Sequence, residues 1–170
     1  MTIVNADRNQ FIKAMRDVAC SVTVVTTDGN AGRHGATVSA FNSLSADPPT
    51  VLVCLRSDSR ISQMVTENGC FTVNVLPEEC RDIARTFAGE FDADYPDRFE
   101  GLNLLELAGL APGIESATIF TAKIVKAIDH GSHTVFIGEV AHVVSARKPP
   151  LTYHDGAYRG LHFTTPFATN

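Results

Sequence analysis

The sequence predicts a mainly β protein, an antiparallel barrel with a few short peripheral helices, and three observations carry that expectation. Several short segments alternate apolar with hydroxylated residues, or are apolar throughout, as strands do. Turn chemistry separates them, notably at Asp28-Gly29, at Pro48-Pro49 and from Asp129 to His133. The helical patterns in between are too few and too short for a doubly wound parallel sheet. No G-x-G-x-x-G occurs, which removes a Rossmann phosphate loop.

Taken in order, Asp7 and Gln10 make a capping-box pattern, with Phe11, Met15 and Val18 at helical spacing. This predicts a short amphipathic helix covering one end of the barrel. Val22 to Thr26 alternates as a strand, and Asp28-Gly29 with Gly32 and Gly35 turns it into a return strand that starts at Gly35. After Pro48-Pro49, Val51 to Leu55 is nearly all apolar, the pattern of a strand buried on both sides. Ser57-Asp58-Ser59 introduces a helix with Ile61, Met64 and Val65 on one face, stopped at Asn68-Gly69. Phe71 to Leu76 is a strand. Pro77-Glu78-Glu79 opens a second helix, with proline in the first turn, acids at the positive end of the dipole, and Ile83, Ala84 and Phe87 as its stripe.

From Ala88 to Gly113 the periodicity fades, and a long, partly irregular excursion is expected, in the manner of a lid or interface arm. Thr118 to Ile128 and Thr134 to Ala146 read as two long strands joined through Asp129-His130-Gly131-Ser132-His133. Pro149 to Arg159 reads as a loop rich in tyrosine and glycine. With no repeat, linker or low-complexity tract, residues 1–170 are expected to form one domain.

Composition narrows the function classes. A length of 170 residues, 44% hydrophobic and 19% charged, is enough to bury a core without disulfides or metal. The net charge of −5, with no basic block, argues against nucleic acid as a partner. No apolar run approaches the ~20 residues needed to span a bilayer. The first residues carry neither a basic leader nor an apolar core of a signal peptide, so a cytoplasmic location is expected. Cys20, Cys54, Cys70 and Cys80 are far apart and form no C-x-x-C pair, which suits reduced thiols better than zinc.

The most informative segment is Gly35 to Pro49, GATVSAFNSLSADPP. Its small residues Gly35, Ala36 and Ala40 leave the backbone barely shielded, and Thr37, Ser39, Ser43 and Ser45 add hydroxyls. A flat ligand with polar edges could lie against such a strand. The simpler alternative is a solvated strand running into a proline-stiffened loop.

Four segments together, TVVTT at 23–27, GATVSAFNSLSADPPTVLVCL at 35–55, FTVNVL at 71–76 and SHTVFIGEV at 132–140, resemble the short-chain NAD(P)H:flavin reductase family. Its members are reductase components of two-component flavin-dependent monooxygenases. The resemblance runs from about Phe11 to Arg159. It implies a split β-barrel that binds FMN or FAD, usually as a homodimer, and a reaction in which NADH or NADPH is oxidised. Reduced flavin then diffuses to an oxygenase component. On the family pattern, Thr37, Val38, Ser39 and Ala40 are implied flavin contacts, with Asn42 and Ser43 beside them. Cys54, Leu55, Ser57 and Ser59 are implied at the ribityl and phosphate end, where the start of a helix suits an anion. His133 is implied at the nicotinamide. The family has Gly-Asp-His where this chain has Gly131, Ser132 and His133, so the ring lacks the family's carboxylate neighbour, and His130 lies close by.

The resemblance implies that the two cofactors carry the chemistry, and no protein acid, base or metal is expected. The absence of an obvious basic cluster for a 2′-phosphate favours NADH. Two alternatives remain open: a barrel of the same type that holds FMN tightly and does not release it, and a non-enzymatic haem or tetrapyrrole binder using the histidines at 130, 133, 142, 154 and 162. Tyr153, Tyr158 and Arg159 either fold over the ligand or finish the barrel.

Overall fold

The computed structural model describes residues 6–161. Helix α1 (Arg8–Met15) leads into strands β1 (Cys20–Ser21), β2 (Thr23–Thr27), β3 (His34–Val38), β4 (Phe41–Ala46) and β5 (Pro49–Arg56). Helix α2 (Arg60–Asn68) and strand β6 (Cys70–Val75) follow, then a 3-10 turn at Glu78–Cys80 and helix α3 (Arg81–Phe87). Strands β7 (Leu104–Leu105), β8 (Gly113–Ile114), β9 (Thr118–His130), β10 (His133–Val144), β11 (Thr152–His154) and β12 (Ala157–Arg159) complete the chain.

Seven strands form the main sheet in the order β3-β2-β6-β9-β10-β5-β4, with every pairing antiparallel. The mainly β, antiparallel expectation therefore holds. All five residues of β2 are buried, because the sheet is covered on both faces. Val25 packs with Val53, Phe71, Val73 and Phe136 on one side, and Val24 with Leu76, Phe87 and Ile119 on the other. The buried hydroxyl and amide groups of the second side find partners across the layer. Thr72 donates to the Ala111 carbonyl at 2.7 Å, and Asn74 Oδ1 accepts the Ile114 N–H at 2.7 Å. Each such bond contributes about 1 kcal/mol net, and losing one partner would cost more. They fasten the segment 111–114 to the sheet.

Several sequence expectations are corrected. The Asp7 carboxylate does cap α1, accepting the N–H groups of Asn9 and Gln10 at 3.0 Å. Among the described residues, however, the helix buries none of its own side chains: Phe11, Ile12 and Met15, with Val18 just beyond, are all exposed. Gly35 to Pro49 is not one strand and a loop. It is two strands, β3 and β4, broken at Ser39-Ala40, and Pro49 already belongs to β5. β5 is buried on one side only, since Leu52 and Cys54 alternate half-buried between Val51, Val53 and Leu55. The second helix starts later than expected, because Pro77 precedes the 3-10 turn and α3 begins at Arg81.

The excursion from Ala88 to Gly113 is irregular as expected, but it is no free arm. Phe99 stacks edge-on against Phe87 at 5.0 Å, and Leu102, Leu104 and Leu105 pack on the same cluster. Pro149 to Arg159 is not a loop either. Its strands β11 and β12 form a hairpin that pairs with β1 in a three-stranded sheet. The stop at Asn68-Gly69 is as expected, with Gly69 at φ 69°. Asn68 does more than end the helix: its side chain bonds Thr27, Ala31 and Gly32 and so fixes the β2–β3 turn.

Candidate active site

Two features of the topology place the site. β3 and β4 occupy opposite ends of the seven-strand order, yet only Ser39 and Ala40 separate them in sequence. The chain thus bends sharply there, and the Cys54 N–H donates to the Ala40 carbonyl at 3.0 Å. The result is a groove of about 320 Å³ beside the bend. This is within the usual range for small-molecule sites.

β3 forms the groove's floor. Ala36 on the strand and Ala40 just beyond its end keep the floor low, and Thr37, Val38 and Ser39 lie between them. The strand pairs only with β2, so half its backbone groups face outward. Arg98 donates to the Gly35 carbonyl at 2.9 Å from that outer side. Two residues along, the N–H and C=O of Thr37 point the same way. Its hydroxyl does not: it donates to the Ala84 carbonyl of α3 at 2.6 Å. Thr37 therefore offers the groove its backbone. A side chain at Gly35 would push α3 away, because a Cβ there would sit 2.5 Å from the Phe87 ring.

The opposite wall comes from Cys54 and Leu55 of β5, from Ser59 and Ile61 at the start of α2, and from His133. Ser59 caps α2, accepting the Ser62 N–H at 3.4 Å and donating to the Arg56 carbonyl at 2.6 Å. Burial pushes the Cys54 thiol up, so it stays protonated at neutral pH and packs as a small apolar group. Arg56 and Asp58 pair at 2.8 Å on the rim, and the guanidinium holds the Asp58 carboxyl below its ordinary range.

Eight of the sequence-expected residues, Thr37 to Ala40 with Cys54, Leu55, Ser59 and His133, are brought together in this one groove. Three are not. Asn42 and Ser43 line a separate hollow with Val18, Phe41 and Phe120. Ser57 turns away to the hairpin tip, where its hydroxyl lies 2.9 Å from Thr134 Oγ1 and its N–H donates to the Ser132 carbonyl. Thr134 in turn donates to Asp129 at 2.6 Å. Ser57 thus anchors the turn that carries His133. The turn spans only Gly131 and Ser132, so His130 and His133 pair directly across it. Ser132 Oγ lies 2.9 Å from His133 Nδ1, so the residue standing in the family's carboxylate position still engages the ring.

Of the side chains that line two further cavities, the sequence singled out Tyr153 and Tyr158 but none of the arginines. Tyr153 and Tyr158, in edge contact at 5.6 Å, line a smaller cavity of about 190 Å³ with Val22, whose remaining wall is Thr37 to Ser39. A third cavity, about 350 Å³, has Arg33, Arg60 and Arg98 in its lining, with His34 and the carboxylates of Asp92 and Asp97. Those arginines are scattered over 66 positions of the chain, and no local pattern announces them. His34 is half-buried and lowered to about 4, first by burial and then by the charges of Arg60 and Arg98. Among the described residues no three His, Cys, Asp or Glu side chains converge as metal ligands, and His162 lies outside them.

Comparison with known proteins identifies the family. The family described as "Flavin reductase like domain" matches residues 15–162. A relative from Methylorubrum extorquens named "FMN reductase (NADH) RutF 1" is 36% identical over 160 residues, 93% of this chain and 79% of its own. The solved structure of BorF, the flavin reductase component of a bacterial two-component tryptophan halogenase, superposes with a TM-score of 0.82 at 31% identity. It covers 93% of this chain and 100% of that one. The NADH:FAD oxidoreductase SgcE6 of Streptomyces globisporus superposes with a TM-score of 0.81 at 30% identity, covering 95% and 98%. From its family match and from these relatives, the chain belongs to the flavin reductase-like domain family.

Proposed function

We propose that this protein is an NADH-dependent flavin reductase that reduces FMN or FAD and releases the product to a partner oxygenase. The observation that carries the reading is the groove. A low floor of small residues, an outward-facing backbone pair at Thr37, and a histidine on the far wall fit a flat ring with polar edges. The named activities of the relatives supply the same chemistry. When both nucleotides are bound, hydride passes from the nicotinamide C4 to the flavin N5, so the chain need supply no nucleophile.

The protein's part is placement. Ala36 and Ala40 admit the ring, and the Thr37 N–H and C=O meet its polar edge. Leu55 and Ile61 exclude water from one side. His133, held through Ser132, stands where a second planar group would stack. Positioning of this kind can remove about 7–11 kcal/mol of a bimolecular barrier when the reacting atoms are held at contact distance.

Finer features belong to the same reading. Residues 1–170 form one domain, and the sheet is a split barrel, which accounts for two end strands that join at Ser39-Ala40. The protein works as a homodimer: Phe11, Ile12, Met15, Val18, Leu44 and Val143 are exposed apolar groups that a second copy would cover. Its place is the cytoplasm, which suits four free cysteines. Among the described residues no helix is long and apolar enough to cross a membrane.

The test is direct. Mixed with FMN or FAD and NADH, the protein should consume the nicotinamide absorbance only when flavin is present. No flavin-dependent oxidation with either NADH or NADPH would remove the proposal. A yellow colour retained through gel filtration, with slow turnover, would favour a flavoprotein that keeps its FMN.

A further inference from the structure

The turn that carries His133 is tied down by a chain of hydroxyls whose direction the geometry fixes. Thr134 Oγ1 lies 2.6 Å from the Asp129 carboxylate, which can only accept, so the single hydroxyl proton of Thr134 goes there. The Ser57 hydroxyl, 2.9 Å from Thr134 Oγ1, must then be the donor of that pair. On the far side of the histidine, the Ser57 N–H donates to the Ser132 carbonyl at 3.0 Å. Ser132 and Thr134 are the two chain neighbours of His133. Both are therefore held, and by the same residue.

Such a tie matters because the tip stands clear of the core. Gly131 turns at φ 58°, and His130, Ser132 and His133 are all exposed. The ladder between β10 and β5 ends at His133, opposite Arg56, whose guanidinium is paired with Asp58 at 2.8 Å. Thr134 is the exception, at 7% exposure, so water competes little for its hydroxyl. Through Ser57 the tip is fastened to the segment between β5 and α2, which lines the groove at Leu55 and Ser59. Asp129, Thr134 and Ser57 do not themselves line it.

We infer that Asp129, Thr134 and Ser57 are positioning residues for the reductase reaction, which act through His133. Together they set where the imidazole stands against the groove, and so how well the nicotinamide is received. The inference rests on the proposed placement of His133 at the nicotinamide. Because the floor of the groove is built from residues 36–40, the relay governs the use of NADH and leaves the hold on flavin alone.

Steady-state kinetics with NADH, beside a flavin titration, test this on the full-length protein. Thr134→Val keeps the shape of the side chain and removes the hydroxyl from both bonds. It should raise the KM for NADH about three- to tenfold, the scale of coupling within one hydrogen-bond network, with flavin affinity nearly constant. Thr134→Ser, which restores the hydroxyl, should bring the KM back close to wild type. Asp129→Ala, at an exposed position, should act in the same direction more weakly, and serves if the valine variant does not fold. In a His133→Ala background either change should raise the KM no further, because the group being positioned is gone; a purely structural role would add its effect there as well. An unchanged KM in Thr134→Val and Asp129→Ala, or the same rise with His133 absent, would overturn the inference. If His133→Ala alone leaves the kinetics with NADH at wild-type values, the placement of His133 is what fails, and the relay loses its role with it.

Discussion

Gly35 is the point where packing and site geometry meet, and Gly35→Ala tests both. An added Cβ would lie 2.5 and 2.7 Å from two atoms of the Phe87 ring and 3.3 Å from Phe99. Ordinary contact begins near 3.4 Å, so ring and strand must part by about 0.9 Å. Phe87 is only 1% exposed and is backed by Phe99, so it has little room to retreat. Overpacking of this sort costs about 1–3 kcal/mol. For a chain of this size that lowers Tm by roughly 2–12 °C. The backbone conformation at Gly35 is ordinary, so the whole cost is steric. Gly69→Ala is the contrasting control: it meets no atom within 4 Å but carries φ +69°, and should cost about 1 kcal/mol through the backbone alone. Thermal unfolding of the flavin-free protein measures both. A second change, Phe87→Leu, should destabilise the parent but less so in the Gly35→Ala background, since it vacates the space the Cβ needs. Gly35→Ala as stable as the parent would show that β3 and α3 are not packed as described.

Three more outcomes are expected. Ala40→Trp, at an exposed position on the bend, should leave the protein folded and abolish flavin binding; unchanged affinity in a titration would remove the groove as the ring site. His133→Ala should raise the KM for NADH several-fold with flavin affinity nearly constant, and steady-state kinetics identical to wild type would refute its placement. His34 gives a pH signature. Its folded value of about 4 is depressed from 6.5, so the unfolded chain binds the proton more readily, and stability is fully present above pH 6.5 and lost as pH falls toward 4. In the flavin-free protein, His34→Gln should flatten the fall in Tm between pH about 6.5 and 5, where most carboxylates are still ionised; an unaltered slope would show that His34 is as solvated as in the unfolded chain.

What the sequence made legible follows a physical division. Strands covered on both faces, such as Val22 to Thr26 and Phe71 to Leu76, declare themselves because burial constrains every position. The floor of the groove was legible for another reason: Ala36 and Ala40 are small where an extended segment would ordinarily carry bulk. The break at Ser39-Ala40 was not legible, since a strand that changes its partner looks locally like one that continues. Ser57 was expected to face the ligand, and only the hydrogen bond to Thr134, 77 residues away, shows that it faces the hairpin. The hydrophobic stripe of α1 was read as a buried face, because amphipathicity reports that something must cover a helix and not what does. The arginines of the third cavity carried no signal, because each is unremarkable in its own segment and only the fold assembles them.

The bend at Ser39-Ala40 has a consequence for how the site comes into being. Its two flanking strands hydrogen-bond to different neighbours, β2 on one side and β5 on the other, which are themselves four strands apart in the sheet. The groove floor is therefore incomplete until both ends of the sheet are assembled, and any opening of either end dismantles it. Backbone amides at the bend, such as the Cys54 N–H on the Ala40 carbonyl, should exchange with solvent only through openings that separate the sheet's ends. A nucleotide held there would act as a clasp on the last joint to close. It would stabilise the folded chain by mass action and slow amide exchange across the whole sheet, and not only at the residues it touches.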